Sequence, residues 1–236
     1  MTAELPLPYT VLRPELFNVP YATYHEWEKL YAVRPNVATH SVLVAELALK
    51  AAEILWVDPQ HLYTCGLLHD IWKKSDLYKP AIADVLQKKK TRTGHIARAI
   101  HASAGALELL LGGFPMTVVE ATAFHHYRKT RGFCLFAPET LRPSTWITEY
   151  ADHLAAAVEN SREKGWRRFW GAANDIQSFA ETNLPPLFSS KLVNEWLLNY
   201  TTQEFPQLFN TVKTFSEGDL KEHVFATLKG NEYCGL

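Results

Sequence analysis

Histidine and aspartate residues recur along the first two thirds of the chain in a pattern suited to metal binding. The order is one His, a His-Asp pair, one His, a His-His pair and one Asp, at His40, His69, Asp70, His101, His125, His126 and Asp152. Imidazole and carboxylate groups are common ligands of Mn, Fe, Ni, Co and Zn ions. The adjacent Asp70 could bridge two such ions, and a pair of ions can activate water and hold a phosphate. The pattern therefore predicts a metal site with hydrolytic chemistry.

Each of these residues lies within or at the end of a segment with the apolar periodicity of an α-helix. Val44, Leu47, Ala51 and Leu55 follow His40 along one predicted helix face. A polar side chain on a buried face costs roughly a few kcal/mol unless it is paired or bound to metal. A single buried histidine is more often a hydrogen-bonded core residue. Five helices that each present ligands favour a shared metal site instead.

Capping residues predict several helix boundaries. Asp58 is a candidate N-cap before Pro59, and Ser144 is a candidate N-cap for a helix that reaches about residue 160. A helix from about residue 96 ends at Gly112-Gly113, and another runs from about residue 116 to 126. Later helices are expected from Ser189-Ser190 and after a capping box over residues 216–219. No alternating strand pattern is longer than a few residues, so the predicted fold class is all-α.

Composition excludes several classes of protein. The chain has 236 residues, is 47% hydrophobic and has a formal net charge of -1, which argues against disorder and against a generally basic nucleic-acid binder. Three isolated cysteines without a CxxC pair argue against a disulfide framework and against a cysteine zinc site. No segment approaches the roughly 18 apolar residues of a membrane span. We therefore expect a cytoplasmic protein with no membrane partner.

The arrangement resembles the HD superfamily of metal-dependent phosphohydrolases. CGLLHDIWKK at 65–74 is similar to the signature with the His-Asp pair, and THSVLVAELA at 39–48 is similar to the helix of the first histidine. The later motifs of the family resemble IHASAGALELL at 100–110, AFHHYR at 123–128 and YADHLAA at 150–156. The resemblance spans roughly residues 36–160 and implies an HD-domain helical bundle.

The resemblance also implies roles for the individual residues. One metal ion would be bound by His40, His69, Asp70 and Asp152, and a second by Asp70, His101, His125 and His126. The ions would be Mn, Ni, Co or Fe, one or two per chain. Asp70 and Lys73 would be the catalytic residues, with Lys73 facing the phosphate and offsetting developing negative charge. Lys74 would take the place of Lys73 if the helix register differed.

One position departs from the family pattern, and several histidines do not belong to it. Trp72 stands where the family usually has glycine, so we expect a reshaped or occluded pocket. His153 is left out of the ligand set because adjacent helical residues do not share a face. The other histidines outside the motifs are His25, His61, His95 and His223.

Three functions remain open at this point. The His-His pair is similar to the stand-alone HD nuclease of type I CRISPR interference, which implies cleavage of single-stranded DNA beside a separate helicase in a CRISPR effector complex. In that case the basic stretch Lys88 to Arg92 would hold the DNA backbone. The second function is hydrolysis of nucleotides or cyclic dinucleotides, although HHYRKTRG replaces the GYP motif of cyclic-di-GMP phosphodiesterases. The third is a metal-bound but inactive assembly module.

The chain divides into three predicted parts. Residues 1–35 form a proline-rich N-terminal arm with one short helix near Tyr24–Tyr31, residues 36–160 form the HD core, and residues 161–236 form a helical C-terminal extension. The extension has no clustered metal-ligand residues, so we expect it to carry none of the chemistry. Its aromatic residues are expected mainly in a core rather than on a partner surface, and they are Trp166, Phe169, Trp170, Trp196, Phe205 and Phe209.

Overall fold

The structure, a computed structural model, describes residues 19–78, 91–127, 142–159 and 163–230, without the side chains of residues 91–97 and 163–168. Within these ranges every regular element is helical, which confirms the predicted all-α class. The first part contains α1 (Val19–Val33), α2 (Pro35–Leu55), α3 (Pro59–Leu68), a 3₁₀ turn (Ile71–Lys74), α4 (Thr91–Leu111), α5 (Met116–Phe124) and α6 (Pro143–Glu159). The extension contains α7 (Glu163–Asn183), α8 (Pro186–Lys191), a π-helical segment (Leu192–Glu204), α9 (Phe205–Thr214) and α10 (Glu217–Gly230).

Helix α2 lies at the centre of the fold because it is apolar around most of its circumference. Val42, Leu43, Val44, Leu47 and Ala48 are all fully buried, although they point in different directions from the helix axis. A helix that is apolar on all sides must be covered on all sides. Helices α1, α3 and α6 and the π-helical segment pack around α2. The helix that carries His40 is therefore held from several directions.

The predicted caps of α3 and α10 are present. The Asp58 side chain accepts hydrogen bonds from the backbone N–H groups of Gln60 and His61, which would otherwise have no partner at the helix start. Ser216 and Asp219 exchange side-chain and backbone hydrogen bonds at the start of α10, as a capping box does. These local interactions set the start of each helix before any tertiary contact is considered.

Two predicted helix starts were wrong, and proline explains both. Helix α6 begins at Pro143, so Ser144 lies within the first turn and is not the N-cap. Helix α8 begins at Pro186 rather than at Ser189. Proline suits the first helical position because its φ angle is already helical and the missing N–H would have had no partner there.

The N-terminal helix is longer than predicted. The short helix expected near Tyr24–Tyr31 is the 15-residue α1, and Trp27 and Leu30 on its inner face are fully buried. The Trp27 indole N–H donates a 3.1 Å hydrogen bond to the carbonyl of Ala38 at the start of α2. Residues 1–18 lie outside the described residues.

The C-terminal extension shares the hydrophobic core of the first part. Trp196 and Phe205 are fully buried, and the Trp196 indole N–H donates a 2.8 Å hydrogen bond to the Leu47 carbonyl of α2. Phe169 is also buried, whereas Trp170 is 51% exposed and Phe209 is half-buried. The side chain of Trp166 lies outside the described residues. None of the described helices combines the length and apolarity needed to cross a bilayer.

Candidate metal centre

The fold brings the seven predicted ligand residues to one place. His40 lies on α2, His69 and Asp70 follow the last residue of α3, and His101 lies on α4. His125 and His126 follow the end of α5, and Asp152 lies on α6. The whole set is at most 14% exposed at the side chain. These seven candidate metal ligands are called the metal-ligand cluster below.

Asp70 is the meeting point of three imidazole rings. Its Oδ1 lies 3.2 Å from His101 Nε2 and 3.8 Å from His125 Nε2. Its Oδ2 lies 3.4 Å from His69 Nε2. The two carboxylate oxygens therefore face different histidines, which is the arrangement that a bridging carboxylate requires.

The Asp152 carboxylate lies at the centre of a second group of imidazole rings. Its Oδ1 lies 3.0 Å from His40 Nε2 and 3.9 Å from His69 Nε2, and its Oδ2 lies 3.8 Å from His126 Nδ1. His69 Nε2 is thus within 4 Å of both carboxylates. His69 links the Asp70 and Asp152 groups into one continuous cluster.

The spacing and the donor atoms fit metal ions. Ligand atoms lie within 4.8 Å of one another in three overlapping groups: His40 with His69 and Asp152, His69 with Asp70 and His125, and His101 with His125 and His126. Ligands at about 2.0–2.3 Å from one ion are separated by similar distances. The buried atoms His69 Nε2 and Asp70 Oδ1 have ionisable neighbours at 3.2–3.4 Å but no hydrogen bond of good geometry, a costly state that a bound cation would remove.

Two backbone carbonyls orient the central rings. His69 Nδ1–H donates a 2.7 Å hydrogen bond to the Gly66 carbonyl, and His125 Nδ1–H donates a 2.8 Å hydrogen bond to the Thr122 carbonyl. A carbonyl can only accept, so Nδ1 carries the proton in both rings. The Nε2 lone pair of each ring is left facing the cluster, as metal ligation requires.

The electrostatics around His125 and Asp70 also suit metal binding. Burial, followed by the neighbouring His69 and His101, lowers the pKa of His125 to about 3. Burial acts against the charge of Asp70, but Lys73 and His69 hold the pKa of this carboxyl well below its usual range. Neutral imidazoles and deprotonated carboxylates are the forms that bind metal.

Glu159 is a member of the site that sequence reasoning missed. Its Oε2 accepts a 2.9 Å hydrogen bond from His40 Nδ1, while His40 Nε2 faces Asp152. Although burial disfavours the charged ring, these two carboxylates raise the pKa of His40 to about 10, so this ring would have to lose its Nε2 proton before it could bind a metal ion. Glu159 follows Asp152 by seven residues on α6, so helical periodicity could have placed the two on one face.

The two lysines after the His-Asp pair have different surroundings. Lys73 Nζ donates to Asp70 Oδ2 and so lies at the cluster. Lys74 instead forms ion pairs with Glu26 of α1 and Glu108 of α4, which turn it away from the cluster. The 3₁₀ turn thus brings Lys73 rather than Lys74 to the cluster, and a catalytic role for Lys73 stays a prediction.

Three further expectations can be compared with the structure. His153 was left out of the ligand set, yet its ring lies within ligand distance of His126 and Asp152. Trp72 packs edge-on against Tyr78, at a ring-centroid distance of 6.0 Å, and does not line the cavity described next. The side chains of the basic stretch over residues 88–92 lie outside the described residues.

A cavity of about 430 Å³ opens onto the cluster. It is called the site cavity below. Its lining includes His40 and Asp70 of the cluster and the neighbouring residues Lys73 and Glu159. Other lining residues come from α1 and α2, namely Tyr31, Asn36, Val37 and Thr39. The remainder come from the C-terminal extension, namely Val212, Lys213, Phe215 and Leu220.

Comparison with known proteins identifies related sequences. A family profile described as the HD domain matches residues 37–157. Ribonuclease Y of Mycoplasmoides gallisepticum is 31% identical over 202 residues, covering 78% of this chain and 31% of that protein. Ribonuclease Y of Rhodopirellula baltica is 39% identical over 93 residues, covering 37% of this chain and 17% of that protein. The chain thus spans less than a third of the length of these relatives.

Two solved structures are similar in part. The HD domain of the phosphodiesterase PgpH of L. monocytogenes, in complex with cyclic-di-AMP, has a TM-score of 0.47 at 17% identity, covering 87% of this chain and 96% of that one. A second structure of the same domain has a TM-score of 0.49 at 16% identity, covering 87% and 97%.

Proposed function

The chain belongs to the HD domain family, and from that premise we propose that it is a metal-dependent phosphodiesterase that cleaves single-stranded RNA. The observation that carries the proposal is the metal-ligand cluster itself, in which Asp70 and Asp152 face imidazoles from four helical segments at 3.0–3.9 Å. The site cavity gives a phosphate access to Asp70 and Lys73.

The cluster residues would hold one or two divalent transition-metal ions. The His40, His69 and Asp152 group would bind one ion, and the His101, His125 and His126 group a second, with Asp70 between them. When bound, the ions would polarise a phosphate and lower the pKa of water. Mn, Ni, Co and Fe ions all suit mixed imidazole and carboxylate ligands.

Lys73 is the residue best placed to act on the substrate directly. It lines the site cavity and carries its charge, because its contact with Asp70 outweighs burial and raises the pKa of the ammonium group. An ammonium group at this position would stabilise negative charge that develops on the phosphate. His69 and His125, held by backbone carbonyls, stay oriented while substrate binds.

RNA is proposed first because the sequence relatives above are named ribonucleases. An unpaired strand can bend one phosphate into a cavity between helices, whereas a duplex cannot. Cleavage of single-stranded DNA with a helicase in a CRISPR complex stays a prediction. Hydrolysis of nucleotides or of cyclic dinucleotides stays a second prediction.

The test compares these substrates directly. Purified protein with Mn is incubated with single-stranded RNA, single-stranded DNA, duplex RNA, cyclic dinucleotides and nucleoside phosphates. We expect single-stranded RNA to be cleaved fastest. Asp70→Asn should abolish cleavage of every substrate, whereas Asp76→Asn, an exposed aspartate six residues further on, should leave it unchanged.

The outcomes separate the alternatives. Faster cleavage of single-stranded DNA than of RNA would favour the CRISPR nuclease. Hydrolysis of small molecules alone would favour the nucleotide or cyclic-dinucleotide enzyme. A protein that binds Mn but hydrolyses none of the substrates would contradict the proposal and favour the inactive assembly module.

A further inference from the structure

Part of the wall of the site cavity comes from outside the segment that matches the HD family. Val212, Lys213, Phe215 and Leu220 belong to α9, α10 and their junction, whereas the family match ends at residue 157. The sequence predicted that this extension carries none of the chemistry. A volume of about 430 Å³ lies within the range of about 300–1,000 Å³ that small-ligand sites have. The cavity therefore has room for more of a substrate than one phosphate.

Phe215 presents an aromatic ring to the cavity from a fixed position. It lies between α9 and α10 and is half-buried. The His223 ring of α10 packs against it at a centroid distance of 5.7 Å. The Ser216–Asp219 capping box holds the backbone directly after it. A ring that is held in this way can serve as a platform on which a nucleobase stacks.

Lys213 adds a cation two residues before Phe215. Its side chain is exposed, and its Nζ lies 4.9 Å from the centre of the Phe209 ring. Among the described residues no carboxylate pairs with it. Lys73, the other lysine among the described residues that line the cavity, is engaged by Asp70. Lys213 is therefore available to bind a phosphate that is not at the metal-ligand cluster.

We propose that Lys213 and Phe215 form a nucleotide-binding subsite of the site cavity. The scissile phosphate lies at the cluster, the base of a neighbouring nucleotide stacks on Phe215, and a second phosphate contacts Lys213. This inference rests on the proposed phosphodiesterase function. It makes the preferred substrate a chain with at least two phosphates and an unstacked base, rather than a simple phosphate diester.

Two variants test the subsite, each with a matched control. Lys213→Gln is compared with Lys229→Gln, because Lys229 is also exposed and lies 4.6 Å from an aromatic ring, that of Phe225, but outside the cavity. Phe215→Leu is compared with Phe188→Leu, because Phe188 is half-buried against Trp56 and also outside the cavity. The melting temperature of each variant shows whether it is folded.

Kinetics with a single-stranded RNA oligonucleotide give the expected effects. Phe215→Leu should raise KM about tenfold, within the range of base stacking on aromatic side chains. Lys213→Gln should also raise KM and should flatten the slope of log(kcat/KM) against log salt by about 0.7, the value for one phosphate contact on a single strand. The losses should be much smaller with bis(4-nitrophenyl) phosphate, which has one phosphate and no nucleobase, and both controls should match the wild type.

An abasic nucleotide tests the stacking directly. The abasic nucleotide is placed at successive positions along the oligonucleotide. With the wild type, KM should rise when it occupies the one position, relative to the cleaved bond, whose base would stack on Phe215. With Phe215→Leu, an abasic nucleotide at that position should not raise KM further. Equilibrium binding of the same oligonucleotides, measured by fluorescence anisotropy, gives the comparison independently of turnover.

The two proposals can fail separately. Absence of hydrolysis of both RNA and bis(4-nitrophenyl) phosphate by the wild type would overturn the phosphodiesterase function, and anisotropy would still decide the subsite. Normal turnover, with KM and binding unchanged in both variants, would overturn the subsite and leave the phosphodiesterase function standing.

Discussion

At the scale of single residues, the directions of three of the five imidazoles are set by groups outside the metal-ligand cluster. Backbone carbonyls of Gly66 and Thr122 fix the rings of His69 and His125, and the Glu159 carboxylate fixes His40. Such outer groups orient the ligands and make them more basic. Removing one of these outer groups should therefore lower the affinity for metal ions.

Glu159→Ala removes the carboxylate that orients His40. We expect Mn affinity to fall by about 10- to 100-fold, the usual effect of losing an outer-shell partner. Isothermal titration of the metal-free protein with Mn measures it, with Glu181→Ala, an exposed position on α7, as the control. An unchanged affinity in Glu159→Ala would show that His40 either needs no orienting group or does not bind the metal.

At the scale of elements, the approach of α2 to α3 sets the separation of His40 and His69. A Cβ atom at Gly66 would lie 2.5 Å from the Ala45 Cα and 2.7 Å from the Ala45 nitrogen. Real contacts of this kind do not occur, so only glycine permits this helix spacing. The same Gly66 supplies the carbonyl that orients His69.

Gly66→Ala should force the two helices apart. We expect a loss of at least about 1–3 kcal/mol in the free energy of unfolding, as overpacked cores show, together with weaker Mn binding. Chemical denaturation measures the first and calorimetric titration the second. Gly171→Ala is the control, because a Cβ there would contact nothing within 4 Å, and it should instead stabilise helix α7 by roughly 0.5–1 kcal/mol. Equal effects of the two substitutions would refute the packing argument.

Helix α10 is attached to α2 by an ion pair that depends on pH. His223 Nε2 lies 2.8 Å from Glu46 Oε1, and this hydrogen bond outweighs burial and raises the pKa of His223. Since the folded pKa lies above the unfolded value of about 6.5, the stabilisation is complete below about pH 6.5 and is lost as the pH rises through the folded pKa.

His223→Gln should therefore cost more stability in acid than in base. Denaturant unfolding at about pH 6 and about pH 9 should show a larger difference from the wild type at the lower pH. Lys229→Gln on the same helix should show a difference that does not vary in this way. A His223→Gln difference that is constant or grows with pH would contradict the assigned ion pair.

At the scale of the whole molecule, the extension and the family-matched segment form one hydrophobic core. Trp196 and Phe205 of the extension belong to the same buried cluster as Leu47 and Ile147 of α2 and α6. The core thus continues past the end of the family match at residue 157. Helix α9 packs against α2, and α10 packs against α1 and α3, which places Lys213 and Phe215 at the site cavity.

Trp196→Ala should destabilise the whole chain rather than the extension alone. We expect a loss of about 3–5 kcal/mol, the usual cost of deleting a buried aromatic side chain. Thermal unfolding followed by circular dichroism and by loss of Mn binding should give one coincident transition. Trp170→Ala, at a half-exposed position, should have little effect. Separate transitions for the two signals would show that the extension folds independently.

Local rules were sufficient for much of this protein. Helical periodicity, the N-cap Asp58 and the capping box at Ser216 and Asp219 are interactions within a few residues, so they can be predicted without tertiary structure. The order of the histidines and aspartates along helices likewise indicated a metal site of the HD type. Helix starts at Pro143 and Pro186 were missed because serine caps were given more weight than proline.

Tertiary structure alone decided which helix faces meet. His40 and Asp152 are 112 positions apart, and their 3.0 Å contact depends on how α2 and α6 pack. Periodicity places a side chain on a face of its own helix, but it contains no information about the neighbour that the face will contact. For the same reason the sequence did not show that Lys213 and Phe215 line the site cavity. Their position is set by the burial of Trp196 and Phe205 against α2, a long-range contact that no local pattern encodes.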